Sequence, residues 1–270
     1  MTHTIFPYRL AAVDLDDTLL GPDKIISDAN ADAIQRLRDA GVTITLASGR
    51  RHENMLRFHR LLDLRGIIVS CNGAQVRDAE TDEVFHQRLL PADLAAKVIA
   101  EGNTRGLTQL YYHTDGAVYV WEKTRWSDLY SRRTATDVVP IGDLTQFGGE
   151  NVLKILWIDE PERSAGLCEE IQNRYLGLYV TITDPEYLEF MEASVNKAAG
   201  IALVTEKLGI GQEEVLAFGD GNNDLPLLRW AGCGIAMANA SENVKQVANR
   251  VSPPGSPETS FSRAVDLLFR

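Results

Sequence analysis

The chain predicts an α/β fold in which a doubly wound parallel sheet is interrupted by an inserted α+β module. Three observations carry this expectation. Short, mostly apolar runs alternate with amphipathic stretches of helical period from Leu10 to Gly73. The regularity ends around residues 78–83. It returns at Lys197 and continues to the last helix. Continuous apolar runs mark strands buried on both faces, and strands separated by helices are parallel with right-handed crossovers.

The first strand is Leu10-Ala11-Ala12-Val13, which runs directly into Asp14-Leu15-Asp16-Asp17-Thr18-Leu19. Ser27 is the N-cap of a helix whose stripe is Ala33, Ile34, Leu37 and Ala40, and Gly41 closes it. Residues 42–47 form the second strand, followed by Ser48-Gly49-Arg50 and a helix with Met55, Phe58, Leu61 and Leu62. Residues 67–70 form a third strand ending at Cys71-Asn72-Gly73-Ala74. In the middle part, strands are predicted over 84–89, 108–113, 117–121, 153–158, 179–183 and 187–191, with helices over 91–105, 124–133 and 161–176. Alternating polarity in these strands and the hairpin dipeptide Asp115-Gly116 point to an antiparallel sheet.

Beyond Lys197 come a helix over 198–208 stopped by Gly209, a strand over 215–218 and the loop Gly219-Asp220-Gly221-Asn222-Asn223-Asp224. A helix with Leu225, Leu227 and Leu228 follows, then a strand over 234–237. A helix capped by Ser241 with Val244, Val247 and Ala248 comes next, and the last helix covers 261–269. The expected domains are 1–81 plus 188–270 for the parallel core, which is Rossmann-like, and 82–187 for the insertion.

A net charge of −11 argues against a broad surface for nucleic acid or an anionic membrane. It leaves room for a small anionic substrate, because a few local cations and a metal can invert the field in one cleft. The three cysteines, Cys71, Cys168 and Cys233, are far apart in sequence and form neither a disulfide framework nor a zinc spacing. Residues 1–10 have no apolar signal core, and the uncharged stretch 230–241 is too short to span a bilayer, so a cytoplasmic setting is expected. The oligomeric state is not legible.

Chemistry is concentrated at the ends of the predicted strands. Asp14, Asp16 and Thr18 follow the first, Ser48 the second, and Asp220, Asn223 and Asp224 a later one, with Lys197 opening the returning half. Ligands in open α/β sheets bind beyond the carboxyl ends of strands. Two like charges about 4 Å apart repel by roughly 1 kcal/mol in water and about 4 kcal/mol at an effective dielectric of 20. Several carboxylates at one mouth therefore call for a hard cation, and an oxygen-only set without His or Cys points to Mg2+. Asp14 can attack a phosphoryl group as a carboxylate nucleophile. Asp16 can serve as acid and then base, and Thr18 and Ser48 can hydrogen-bond the phosphoryl oxygens. Lys197 can neutralise charge, and backbone N–H groups after Asp14 and at Gly49 can form an anion nest.

Plainer readings stand beside these. Ser48 can be a helix cap, Lys197 a solvated lysine at a helix start and Asp224 an acid in a first helical turn. Arg50 can touch phosphate or be surface like Arg51, and Asn72 can be a ligand or only a turn residue. In the middle module His113, Trp121, Arg125, Trp126 and Arg132 read first as packed or solvated side chains and only second as substrate contacts.

With these residues in place, the chain resembles the haloacid dehalogenase superfamily and, within it, the Cof-type sugar-phosphatase branch. The first motif of the superfamily matches Asp14 to Leu19. The second matches Ser48 in Ser48-Gly49-Arg50, and the third matches Lys197 in Ser194-Val195-Asn196-Lys197. The fourth matches Gly219 to Asp224, and the Asn72-Gly73-Ala74 turn is also typical. The gap between Arg50 and Lys197 is where that branch carries its α/β cap. The resemblance implies a Mg2+-dependent phosphomonoester hydrolase that uses an aspartyl-phosphate, with a small phosphorylated metabolite, a sugar phosphate first, as its partner. It implies Asp14 as nucleophile and metal ligand, and Asp16 as acid/base with its backbone carbonyl on the metal. Asp220 would be the third protein ligand, and Thr18, Ser48, Gly49, Lys197 and Asn223 would contact phosphate. Asp224 would support Lys197 and the metal's waters, and Arg50 and Asn72 would reach toward substrate. The competing readings are a phosphomutase or phosphotransferase of the same superfamily, and a receiver-like phospho-Asp module, although receivers are half this length. Dinucleotide binding at Gly219-x-Gly221 lacks the third glycine, because Asp224 stands there.

Overall fold

The computed structural model describes residues 6–269, so residues 1–5 and Arg270, which the expected domain ranges include, lie outside the described residues. The chain divides into two compact units. One comprises residues through Gly49, Met55–Phe85 and the chain from Asn196 on; the other comprises Arg50–Asn54 and His86–Val195.

The first unit is built on a parallel sheet of β1 (Leu10–Val13), β2 (Thr43–Leu46), β12 (Val215–Gly219), β13 (Cys233–Ala236) and β14 (Arg250–Val251), numbered in chain order. Their spatial order is β14-β13-β12-β1-β2, and every neighbouring pair is parallel. The alternation of β1 explains why helices cover both faces. Ala11 and Val13 pack with Ile34 and Leu37 of α1 (Asp28–Asp39) and with Phe261 and Val265 of α9 (Ser260–Asp266). Leu10 and Ala12 pack with Ile201 and Val204 of α6 (Lys197–Leu208) and with Leu227 and Leu228 of α7 (Leu225–Trp230). Ser27 caps α1 as expected, its hydroxyl accepting from the Asn30 N–H at 3.2 Å. Ser241 holds the N-cap position of α8 (Glu242–Val247), but its hydroxyl donates to Asn243 and does not cap the helix.

The third expected strand, β3 (Ile67–Ser70), joins β2 through a single parallel bridge, Ala47 to Val69. Its main partner is β4 (Gln75–Asp78), in an antiparallel hairpin extended by β5 (Val84–Gln87). The sequence reading did not anticipate β4. Cys71 (φ 48°), Asn72 (φ 56°) and Gly73 (φ 101°) reverse the chain within one tight left-handed turn, which pairs the following residues with the strand just completed.

The second unit contains α3 (Ala92–Thr104), β6 (Thr108–His113), β7 (Val118–Val120), α4 (Arg125–Thr134), β8 (Val138–Pro140), β9 (Val152–Ile158), α5 (Pro161–Gln172), β10 (Leu178–Asp184) and β11 (Tyr187–Glu192). The strands form one sheet in the order β10-β11-β9-β6-β7-β8, antiparallel except for β7 with the unforeseen β8. Ile155, Trp157 and Phe190 pack beneath α3 and α5 through Val98, Ile99, Leu167 and Ile171. Lys154, on the opposite face of β9 from Ile155, is buried and paired at 2.7 Å with the equally buried Glu189. Residues 50–54 group with this unit because Asn54 donates to the Thr134 carbonyl and accepts from the Thr136 hydroxyl, each at 2.9 Å. The start of α2 (His52–Leu61) thus belongs to one unit and its remainder to the other.

Candidate active site

The strand order explains where the site lies. From β1 the chain proceeds to β2 on one side, whereas from β12 it proceeds to β13 and β14 on the other. The carboxyl ends of β1 and β12 therefore flank a switch point, where the two following loops diverge and leave a crevice. Asp14 leaves β1 at that point, its N–H still on the ladder to the Phe218 carbonyl at 3.1 Å, and Asp220 leaves β12.

Lys197 is the first residue of α6, whose N-terminus is fixed by the Asn196 side chain accepting from the Ala199 N–H at 2.9 Å. It is fully buried, which excludes the solvated-lysine reading. Its ammonium donates to Asp14 Oδ1 at 2.5 Å and to Asp224 Oδ1 at 2.6 Å. The other oxygen of Asp224 accepts the N–H groups of Asp220 (3.1 Å) and Gly221 (3.0 Å), so Asp224 shapes the loop and orients the lysine together. Its carboxylate makes no capping bond to α7. Gly219 is required beside it: a Cβ there would stand 2.4 Å from Asp224 Cγ. Thr18 donates from Oγ1 to Asp220 Oδ1 at 3.1 Å, linking the first loop to the fourth.

The carboxylates of Asp14, Asp220 and Asp224 each bring an oxygen within 4.8 Å of the others. Burial, opposed by Lys197 and reinforced by Asp224 and Asp220, holds the Asp14 carboxyl well above the usual carboxylate range. Burial, with Asp224 and then Asp17, pushes Asp220 up to about 7. Burial works against the Lys197 ammonium, but Asp14 and Asp224 overcome it and raise its pKa. Two buried carboxylates thus share one ammonium, with the partly buried Asp220 beside them. That is an excess of negative charge that a divalent cation removes, and the all-oxygen donor set fits a hard one.

Asp16 differs from its expected neighbours. Its carboxylate is 3.2 Å from the Lys24 ammonium and is not among the three that converge; the third of those side chains is Asp224. Ser48 is buried at the end of β2, and α2 begins only at His52, so Ser48 is not a helix cap. Its N–H donates to Val69 (3.0 Å) and its carbonyl accepts from the Asn72 N–H (2.9 Å). Asn72, buried and left-handed, accepts at Oδ1 from Asn223 Nδ2 at 3.0 Å. The same amide approaches Gly49, where an added Cβ would meet Asn72 Oδ1 at 3.0 Å. Ser48, Gly49, Asn72 and Asn223 are therefore contiguous within the first unit, whereas Arg50 falls in the second. Among the aromatic and basic residues singled out in the second unit, His113 pairs with Asp115 at 3.0 Å, and Arg125 pairs with Glu160 and lies over the Trp126 ring. Trp121 and Arg132 are exposed.

Two contacts escaped the sequence reading. One is Lys24 on Asp16. The other is Asn239, whose Nδ2 donates to Asp220 Oδ2 at 3.3 Å and to the Asp17 carbonyl at 3.2 Å. The available signal was position: Asn239 lies just beyond the end of β13, one more strand end of the same sheet.

The profile of a haloacid dehalogenase-like hydrolase family matches residues 11–256. The chain belongs to this family. The resemblance drawn from the four motif stretches is thereby borne out. Within the family the chain is 30% identical over 256 residues to the 5-amino-6-(5-phospho-D-ribitylamino)uracil phosphatase YitU of Bacillus subtilis, covering 91% of this chain and 92% of that protein. It is 28% identical to the pyridoxal phosphate phosphatase YbhA of Escherichia coli, covering 90% and 92%. The crystal structure of a haloacid dehalogenase-like hydrolase from Bacteroides thetaiotaomicron superposes with a TM-score of 0.86 at 26% identity, over 97% of this chain and all of that one. The α/β core with a second sheet is the fold of this family. Among the described residues, no helix is long and apolar enough to cross a membrane.

Proposed function

We propose that the chain is a Mg2+-dependent phosphomonoester hydrolase that transfers the phosphoryl group of a small metabolite to Asp14 and then to water. The observation that carries this reading is the buried Lys197 ammonium bridging Asp14 and Asp224 beside a third carboxylate, Asp220, at the switch point of the sheet. Asp14 and Asp220 would hold the cation through their side chains and Asp16 through its carbonyl. When bound, the cation supplies charge neutralisation for the phosphoryl oxygens and lets the Asp14 carboxylate approach them.

The Asp14 carboxylate attacks phosphorus in line with the departing oxygen, and Asp16 delivers a proton to that oxygen. The resulting Asp14 acyl phosphate is then opened by a water whose proton Asp16 takes, so the same side chain serves as acid and base in turn. Lys197 orients Asp14 and balances charge as the phosphoryl group arrives. The Ser48 hydroxyl, the Gly49 N–H, Thr18 and Asn223 are the hydrogen-bonding groups assigned to the phosphoryl oxygens, with Arg50 and Asn72 toward the substrate. We assign the choice of leaving group to the inserted α+β module, expected over residues 82–187, and a cytoplasmic setting from the cysteine spacing.

The relatives named above act on a phosphorylated ribitylaminouracil and on pyridoxal phosphate, which supports a phosphorylated metabolite as substrate. A sugar phosphate is the first to try. The test is release of inorganic phosphate from a panel of phosphorylated sugars and cofactors, with Mg2+ and with chelator. Release is expected to need Mg2+ and to vanish in Asp14→Asn. Turnover by Asp14→Asn near the wild-type rate overturns the reading. Phosphate retained in an isomeric ester, with none released, identifies the mutase instead.

A further inference from the structure

We propose that Asn239 is a positioning residue for the carboxylate of Asp220, and that it sets how tightly the site holds Mg2+. This inference rests on the metal-site reading above and extends it to a residue outside the four motif stretches.

Asn239 is delivered to the site by strand pairing. β13 runs parallel to β12 with Gly219 opposite Ala236, and the Met237 N–H continues the ladder to the Gly219 carbonyl at 3.0 Å. A turn follows, closed by the Ala240 N–H on the Met237 carbonyl at 3.0 Å and anchored by the Ala238 N–H on the Ser252 hydroxyl at 2.9 Å. The turn presents the Asn239 side chain to the two loops that leave β1 and β12.

The amide donates to two oxygens: Asp220 Oδ2 at 3.3 Å and the Asp17 carbonyl at 3.2 Å. Only the NH2 end of an asparagine satisfies both, and its two N–H groups match the two acceptors. Thr18 already donates to the other oxygen of Asp220. The carboxylate is therefore held at both oxygens by neutral donors that fix its rotation without cancelling its charge. The Asp17 carbonyl belongs to a residue in the left-handed region (φ 56°), in the same loop as Asp16 and Thr18. One side chain thus ties the loop carrying Asp16 to the loop carrying Asp220. Groups that orient a ligating carboxylate change metal affinity by about 10–100-fold when removed.

The experiment is calorimetric titration of Mg2+ into the metal-free full chain, as wild type, Asn239→Ala and Asn239→Leu, the last of which keeps the volume but not the donors. Mg2+ affinity is expected to weaken about tenfold or more in both variants. Turnover of a chromogenic phosphate ester should need correspondingly more Mg2+ for half-activation, with kcat at saturating Mg2+ within about threefold of wild type. The melting temperature in chelator should stay unchanged, because the amide is exposed and buries little surface. Wild-type affinity in either variant overturns the proposal. A melting temperature in chelator that falls in both variants makes Asn239 a structural residue and also overturns it. A wild-type chain that takes up no Mg2+ overturns the metal-site reading itself, a result distinct from the other two.

Discussion

Lys197 and Asp14 stand 183 positions apart in the chain and 2.5 Å apart in space, with the lysine fully buried. Removing one member of a buried ion pair costs about 3–5 kcal/mol, because the remaining charge has lost its partner without regaining water. Lys197→Met leaves the carboxylates of Asp14 and Asp224 together with no cation. We expect the denaturant midpoint measured in chelator to fall accordingly, and kcat for phosphate release to fall by about 10²–10³-fold, the usual loss for one charge-stabilising donor. A variant as stable and active as wild type would remove Lys197 from the site.

The loop after β12 is held by contact between Asp224 and a glycine. The added methyl group of Gly219→Ala would sit 2.4 Å from Asp224 Cγ, so the carboxylate must move. Asp224 orients Lys197 and the N–H groups of Asp220 and Gly221, and a displacement of about 1 Å in such a site costs on the order of 10²-fold in rate. Steady-state kinetics of Gly219→Ala should show that loss mainly in kcat. Wild-type kcat would mean the loop yields without disturbing the lysine.

In the second unit, Lys154 and Glu189 form a buried pair, with the ammonium 4.5 Å from the centre of the Tyr112 ring. Lys154→Met alone is expected to destabilise by about 3–5 kcal/mol, whereas Lys154→Met with Glu189→Leu should recover most of that loss. Chemical denaturation of the two single variants and the double variant gives the coupling directly. A double variant no better than the worse single would show that the pair is not the main interaction of either residue.

Acid sensitivity is expected from the cluster around Glu101. Burial pushes the Glu101 carboxyl up, but hydrogen bonds from Tyr175, Arg105 and Arg174 outweigh it and hold the group below its ordinary value of 4.5. The folded carboxyl then titrates below the unfolded one, so the unfolded chain takes up the proton first as the pH falls. The contribution is complete above the ordinary value and is lost as the pH drops through the folded one. Melting temperatures of wild type and Glu101→Gln should differ by a constant amount between about pH 6 and 8 and converge below about pH 4.5. A difference that persists at low pH would assign the effect to packing.

Much of this was legible in local patterns. Short, mostly apolar runs marked β1, β2 and β3, the serine before residues 28–39 marked a helix start, and acids and hydroxyls just past strand ends marked the crevice, because strand period, capping and the ends of parallel strands are all properties of neighbouring residues. β4 and β8 were missed because each is short and of mixed polarity, and only the partner strand makes it a strand. Tertiary structure alone decided that Asp224, rather than the Asp16 side chain, completes the carboxylate cluster, that Asp16 rests on Lys24, and that Asn239 reaches Asp220. Those outcomes depend on side-chain direction and on which loops the sheet order brings together. In this chain that order is set by burying Leu10–Val13 between β2 and β12, an energetic choice made across some two hundred residues and therefore written in no single stretch of sequence.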